Sequence, residues 1–347
     1  MNPIRVLIVE DSAVVREHLR RIISADPRLQ VAGSAASGEE ALAIIDRLAP
    51  DVITMDVRLP GMQGLEATRR IMSHRPTPIV VVSGVGSEDV GLTMEALKAG
   101  ALSVVEKPAA STHHDYEAMA ARLCMQLAIM SEVHVVRQRP RPPLRHSMDR
   151  GEPRRALFRA LGVATSTGGP GALMDLFGGL GRDFPLPVAV VQHMTPSFMD
   201  GFASWLAGVS PMPVDVVRAR TLLVAGRVYL APCERHLVVD GLYADLDDGP
   251  PVGLHKPAAD RLFSSMATTM GSAAIGVQLT GMGEDGAFGL RELRAAGGYT
   301  IAEDESTAVV YGMPAAAVRL GAVTESLPLG DIARRVRELL TPPGDVE

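Results

Sequence analysis

Two sets of residues in this chain have the types and placement to do chemistry. The first is Glu10-Asp11, Asp56, Ser83 and Lys107, each at or just past the end of a short apolar run: Ile4–Val9, Val52–Met55, Ile79–Ser83 and Ala101–Val105. Three carboxylates brought together repel one another unless a cation joins them, and a small hard cation such as magnesium suits an all-oxygen site. Lys107 could then neutralise an incoming phosphoryl group, and Ser83 could donate to its oxygen. The second set is Ser166, His193 and Asp285, which follow the apolar runs Leu161–Ala164, Val188–Val191 and Ile275–Leu279. Serine is a poor nucleophile unless a neighbouring histidine takes its proton, and a carboxylate fixes that histidine's tautomer and stabilises the imidazolium. Thr165-Ser166-Thr167-Gly168-Gly169-Pro170 is a turn into a helix start, whose free N–H groups can bind a phosphate or an oxyanion. The turn lacks the Gly-Lys-Ser/Thr ending of a P-loop and is not a G-x-S-x-G elbow. These residues alone leave three readings open: a Ser-His-Asp hydrolase, a nucleotide-binding output domain, and a non-catalytic dimerisation module.

The elements that must position the first set alternate in type. The five apolar runs Ile4–Val9, Leu29–Ala32, Val52–Met55, Ile79–Ser83 and Ala101–Val105 are separated by helical patterns. One such pattern starts at Ser12 and carries the stripe Val14, Val15, Leu19, Ile22 and Ile23; others span Gly38–Leu48, Gly64–Ser73 and Glu88–Ala99, and a last one carries Tyr116 to Met130. This predicts a five-stranded parallel sheet covered on both faces, with its carboxyl ends forming one crevice. The second set sits in a longer block with strand-like runs at Leu161–Ala164, Val188–Val191, Leu222–Val224, Val228–Leu230, Leu237–Val239, Ile275–Leu279, Thr300–Ala302 and Val323–Thr324. Between the blocks, residues 134–155 hold seven Arg and four Pro with few apolar residues, which predicts an extended linker rather than a buried element. The organisation expected is therefore residues 1–133, a linker at 134–155, a second domain at 156–340, and a flexible tail at 341–347.

Composition narrows the function classes. The chain has 347 residues, 34 Lys plus Arg against 40 Asp plus Glu, and 47% hydrophobic residues, so it is globular and mildly acidic. A net charge of −6 offers no support for bulk nucleic-acid binding. Two cysteines, Cys124 and Cys233, are too few for a disulfide framework or a cysteine-built zinc site. No uncharged apolar stretch reaches about 18 residues, and the N-terminus begins directly with a strand-like run, so a cytoplasmic location without membrane insertion is expected.

With these residues in place, the N-terminal block resembles a response-regulator receiver domain, through Glu10-Asp11, Asp56 followed by Pro60-Gly61, Ser83, and Lys107-Pro108. The resemblance implies a flavodoxin-like fold, Asp56 as phosphoacceptor, and a histidine kinase of a chemosensory array as donor. It also implies magnesium held by Asp11, Asp56 and the carbonyl of Arg58, with Glu10 acting through water, and Ser83 and Lys107 as switch residues. Val104 stands where receivers often carry an aromatic switch residue. The second block resembles the catalytic domain of the chemotaxis protein-glutamate methylesterases (CheB type). The matching segments are Ser166-Thr167-Gly168-Gly169, Gln192-His193-Met194, Gly281-Met282-Gly283 with Asp285-Gly286, Ala231-Pro232, His255-Lys256-Pro257 with Asp260, and Val310-Tyr311-Gly312-Met313-Pro314. That resemblance implies a doubly wound α/β fold with the active site at the carboxyl ends of the strands. Carried onto this sequence, it makes Ser166 the nucleophile, His193 the general base and Asp285 its orienter, with the Met282 N–H in the oxyanion hole and Thr167 in support. Departures are Thr165 for the commoner Ala, Lys256 for Arg, and Ala258-Ala259 for Ser-Val.

The function so implied is a phosphorylation-regulated, monomeric serine esterase. It would hydrolyse glutamate γ-methyl esters on the cytoplasmic helices of chemoreceptors, and possible deamidation of receptor glutamines comes with the family. Magnesium belongs to the receiver and no cofactor to the catalytic domain. A signalling adaptor of the same fold with vestigial catalysis is the alternative, and a DNA-binding regulator fits poorly with the negative charge.

Overall fold

The computed structural model describes residues 3–84, 87–107, 113–133 and 158–340. The chain divides into two compact units, Met1–Pro140 and Arg141–Glu347. The expected linker at 134–155 and the tail at 341–347 lie outside the described residues.

The first unit is β1 (Ile4–Val9), α1 (Ala13–Ala25), β2 (Leu29–Ala35), α2 (Gly38–Leu48), β3 (Val52–Met55), α3 (Gly64–His74), β4 (Ile79–Ser83), α4 (Ser87–Lys98), β5 (Ser103–Glu106) and α5 (His113–Ser131). The sheet is wholly parallel, in the order β2-β1-β3-β4-β5. β3 and β4 are buried at every residue, which is why their sequences read as unbroken apolar runs rather than alternating ones. Ser12 caps α1, accepting from the Val15 amide at 3.4 Å, and Leu19, Ile22 and Ile23 form its buried stripe; Val14 and Val15, expected in the same stripe, are exposed and half-buried because they sit in the first turn, before the helix packs on the sheet. Ser37 caps α2 in the same way, and Glu39 and Glu40 complement its positive end. Two strands differ from the sequence reading, and the bounds of α3 and α4 shift by one residue. β2 continues to Ala35 because Gly33, Ser34 and Ala35 pair with Leu7, Ile8 and Val9, a tertiary pairing that small residues do not advertise. β5 begins at Ser103, since the ladder with Val80–Ser83, not apolarity, sets its ends.

The second unit continues with β6 (Ala160–Thr165), α6 (Gly169–Leu180), β7 (Val188–Gln192), α7 (Pro196–Val209), β8 (Val214–Val216), β9 (Thr221–Leu222), β10 (Val228–Leu230), β11 (His236–Asp240) and β12 (Tyr243–Asp247). After these come α8 (Ala259–Thr269), β13 (Ala274–Gln278), α9 (Ala287–Ala295), β14 (Tyr299–Glu303), α10 (Met313–Arg319), β15 (Glu325–Leu327) and α11 (Leu329–Leu340). Seven parallel strands form one sheet, β15-β14-β13-β6-β7-β10-β8. β6, β7 and β13 are buried throughout. The chain leaves β6 toward β7 on one side and returns to β13 on the other, so the strand order reverses beside β6. Such a switch point opens a crevice at the carboxyl ends of the strands.

A separate small antiparallel sheet, β11-β12-β9, was only partly legible. The sequence reading placed strands at Leu222–Val224 and Leu237–Val239, but gave no strand at Tyr243–Asp247, where exposed and charged residues interrupt the pattern. β15 lies at Glu325–Leu327 rather than Val323–Thr324, because Thr324 spends its groups on Thr300 before the ladder with β14 begins. Helices α7, α8, α10 and α11 are further additions to the reading.

Candidate active site and acidic pocket

Ser166, His193 and Asp285 converge at this switch point. Ser166 follows β6, and its amide donates to the Thr280 carbonyl at 3.0 Å while its own carbonyl accepts from the Gln192 side chain at 2.8 Å. Gln192 ends β7 and also ties the His193 carbonyl at 2.9 Å, so one buried amide side chain holds the serine and histidine turns together. Gly281 packs directly on the serine: a Cβ there would stand 2.8 Å from the Ser166 Cβ and collide with the Met313 sulfur.

His193 is fixed through Nε2, which lies 2.8 Å from Asp285 Oδ2. Its Nδ1 is buried and has no hydrogen-bond partner among the described residues. The ring is therefore anchored by one nitrogen and presents the other as a lone pair, the arrangement a general base needs. The face of the ring stacks on His255, with centroids 4.2 Å apart and planes 12° from parallel. Burial, reinforced by the neighbouring His193, holds the His255 imidazole below its ordinary range and so favours its neutral form. One ligand atom from each of His193, His255 and Asp285 lies within 4.8 Å of the others. Ring lone pairs lie in the ring planes, and parallel stacked planes do not aim at one shared ion, so the cluster is a stack rather than a metal centre.

Asp285 sits on the start of α8. Its Oδ2 accepts from the Ala259 amide at 2.6 Å and its Oδ1 from the Asp260 amide at 3.0 Å. Burial works to raise the Asp285 pKa, but the His193 hydrogen bond and charge and these two helix-start amides outweigh it, and the carboxyl is held below its ordinary value. The Ala258-Ala259 departure thus falls on the cradle of the carboxylate, and because the contact is through the backbone, the change of side chain leaves it intact. The amides of Thr167, Gly168 and Met282 donate no hydrogen bond among the described residues, and Thr167 and Met282 are partly accessible. The Thr167 carbonyl is held by the Thr280 hydroxyl at 2.9 Å. Gln192, Thr280 and the α8 amides were given no role in the sequence reading. A glutamine and a threonine beside motif residues carry no chemical signature, and backbone donors carry none at all.

In the first unit the expected residues also converge. Lys107 Nζ lies 2.8 Å from Asp56 Oδ2 and 2.9 Å from Glu10 Oε2. Burial opposes the Lys107 charge, but hydrogen bonds to the two carboxylates raise its pKa above the ordinary value. Glu10 is raised, chiefly by burial. The Arg58 amide donates to Asp56 Oδ1 at 3.2 Å. The Ser83 hydroxyl is buried without a partner among the described residues. Oxygens of Glu10, Asp11 and Asp56 lie within 4.8 Å of one another, and an all-carboxylate set with one exposed member, Asp11, fits a hard, partly hydrated cation. Gly64 approaches the Asp56 carbonyl so closely that any Cβ would overlap it, which explains glycine at the start of α3. Among the described residues no helix is long and apolar enough to cross a membrane.

Comparison with known proteins finds a family for each unit. Residues 161–336 match the CheB methylesterase family and residues 6–114 match the response regulator receiver domain family. A protein-glutamate methylesterase/protein-glutamine glutaminase of Paramagnetospirillum magneticum is 50% identical over 344 residues, covering 97% of each chain. One from Myxococcus xanthus is 43% identical, covering 99% of each. The crystal structure of the Thermotoga maritima CheB methylesterase catalytic domain superposes with a TM-score of 0.50 at 34% identity, covering 52% of this chain and 98% of that one. This chain belongs to the CheB methylesterase family, in the form that carries an N-terminal response-regulator receiver domain.

Proposed function

We propose that the chain is a phosphorylation-regulated protein-glutamate methylesterase. It acts on glutamate γ-methyl esters, and on glutamines by deamidation, in the cytoplasmic helices of chemoreceptors. The observation that carries this reading is the His193 ring, anchored to Asp285 through Nε2 with Nδ1 buried and free beside the Ser166 turn. Ser166 Oγ attacks the ester carbonyl as His193 Nδ1 takes its proton, and Asp285 stabilises the imidazolium. The free amides of Met282 and Thr167 receive the oxyanion. The imidazolium returns its proton to the departing methoxide, and methanol leaves an acyl-Ser166. Water, deprotonated by the same nitrogen, then releases glutamate and restores the serine. With a glutamine substrate the leaving group is ammonia.

In the receiver, Asp56 accepts a phosphoryl group from the histidine kinase of the sensory array. Glu10, Asp11, Asp56 and the Arg58 carbonyl would hold magnesium, which supplies charge neutralisation for the transfer. Lys107 and the unpartnered Ser83 hydroxyl are placed to take the new phosphoryl oxygens. The protein acts as a cytoplasmic monomer, with domain limits at 1–133 and 156–340 joined by the 134–155 linker. Methanol release from methyl-labelled receptor, with and without a phosphodonor, tests the reading. Release that needs Ser166 supports it.

A further inference from the structure

Glu303 ends β14 with no solvent exposure. Its Oε2 accepts from the Thr280 amide at 2.8 Å, and its Oε1 is buried without a hydrogen-bond partner of its own among the described residues. Among the described residues no Lys or Arg pairs with it; the charged groups that face it are Asp304, next in the chain, and Asp175 of α6, both acidic, while the Thr307 hydroxyl lies alongside. Thr280 is the junction of the esterase site. Its carbonyl accepts from the Ser166 amide at 3.0 Å and from the Thr165 hydroxyl at 2.8 Å. Its hydroxyl donates to the Thr167 carbonyl and accepts from the Val310 amide, both at 2.9 Å, and the Met282 amide is two residues on. Glu303 thus holds the one residue from which both the nucleophile turn and the Met282 loop hang.

We propose that Glu303 is a proton-linked positioning residue of the esterase site: it carries a proton when Thr280 is in its observed place, and its ionisation displaces Thr280 and, with it, Ser166. A proton on Oε1 removes the charge and leaves Oε2 to accept from Thr280. Loss of that proton to solvent leaves a buried carboxylate with acidic neighbours and no cation among the described residues, held only by the Thr280 amide and the Thr307 hydroxyl, a state relieved by movement or by water entry. Burial pushes the Glu303 pKa up to about 7, into the range where the change is usable.

The inference rests on Ser166 being the nucleophile, so the test has one arm that needs catalysis and one that does not. In the full chain, the backbone amide shifts of Ser166 and Thr280 are followed against pH by NMR, for wild type and Glu303→Gln. Modification of Ser166 by a fluorophosphonate probe is measured over the same range. Glutamine keeps an oxygen for Thr280 but does not titrate. Every other titratable group is common to both proteins, so a difference between the curves belongs to Glu303. We expect a transition near neutrality in the wild-type amide shifts that is absent from Glu303→Gln. The ratio of variant to wild-type probe rate should rise about 2- to 30-fold with pH, the range of a positioning coupling at one remove. Superimposable shift curves would overturn the link, as would a probe-rate ratio that stays constant across the range. If Ser166 never reacts with the probe, the esterase reading fails while the amide shifts still decide the role of Glu303.

Discussion

At the residue scale, the site is defined by which nitrogen of His193 is spoken for. Asp285 occupies Nε2, so the proposed mechanism works through Nδ1. Asp285→Asn keeps the volume but can accept from only one of the two α8 amides, and it removes the charge that stabilises the imidazolium. A fall in kcat of about 10⁴-fold is expected, with KM little changed, by steady-state methanol release. The carboxylate also contributes to stability. Its folded pKa is depressed, so its contribution is present above the unfolded value near 3.8 and lost as pH falls through the lower folded value. Thermal unfolding followed against pH should therefore show wild type and Asp285→Asn converging in acid and separating toward neutrality. Gly281→Ala is expected to cost about 10²-fold in rate, because its methyl meets the Ser166 side chain and the Met313 sulfur and displaces the nucleophile. Measured stability and rate together check this: a large rate loss with a small shift in Tm is the expected pair.

At the element scale, three neighbouring strands bring the triad together, and this explains what could be read from sequence. β6, β7 and β13 are short, wholly buried apolar runs that end in polar residues, so both the strands and the residues at their ends stood out. The receiver strands were legible for the same reason, and Ser12 marked its helix. What could not be read is set by pairing or by backbone. β12 has mixed burial and exists because β11 and β9 pair with it, and the seat of Asp285 on α8 is made of main-chain N–H groups. The stack of His255 on His193 joins residues 62 apart in the chain, with no local signal for the contact. Gln192 is the element-scale tie: Gln192→Ala should loosen the β6 and β7 ends and leave the Ser166 and His193 carbonyls without their buried donor. A loss of about 1–3 kcal/mol in stability by denaturant unfolding, with a concurrent fall in kcat, is expected.

At the scale of the whole molecule, one chain joins a site that accepts phosphate to a site that hydrolyses esters. In the proposed function, phosphorylation of Asp56 changes the rate of a reaction carried out in the other unit. A coupling of about 1–3 kcal/mol changes activity 5- to 150-fold, so a modest bias is enough. Val104 lies on β5 in the place of an aromatic switch residue. Asp56→Asn should remove the response to a phosphodonor, read as the ratio of methanol release with and without it. A chain beginning near Ala156 should need no phosphodonor if the receiver restrains the catalytic unit; if it is folded but no faster than the unphosphorylated full chain, phosphorylation acts by recruitment instead. The central claim is that Ser166 performs the hydrolysis, and its most direct test is methanol release from methyl-labelled chemoreceptor by the phosphorylated full chain, wild type against Ser166→Ala. The account predicts rapid release by wild type and release at the uncatalysed rate by a folded Ser166→Ala protein. Release that persists undiminished in that variant would contradict it.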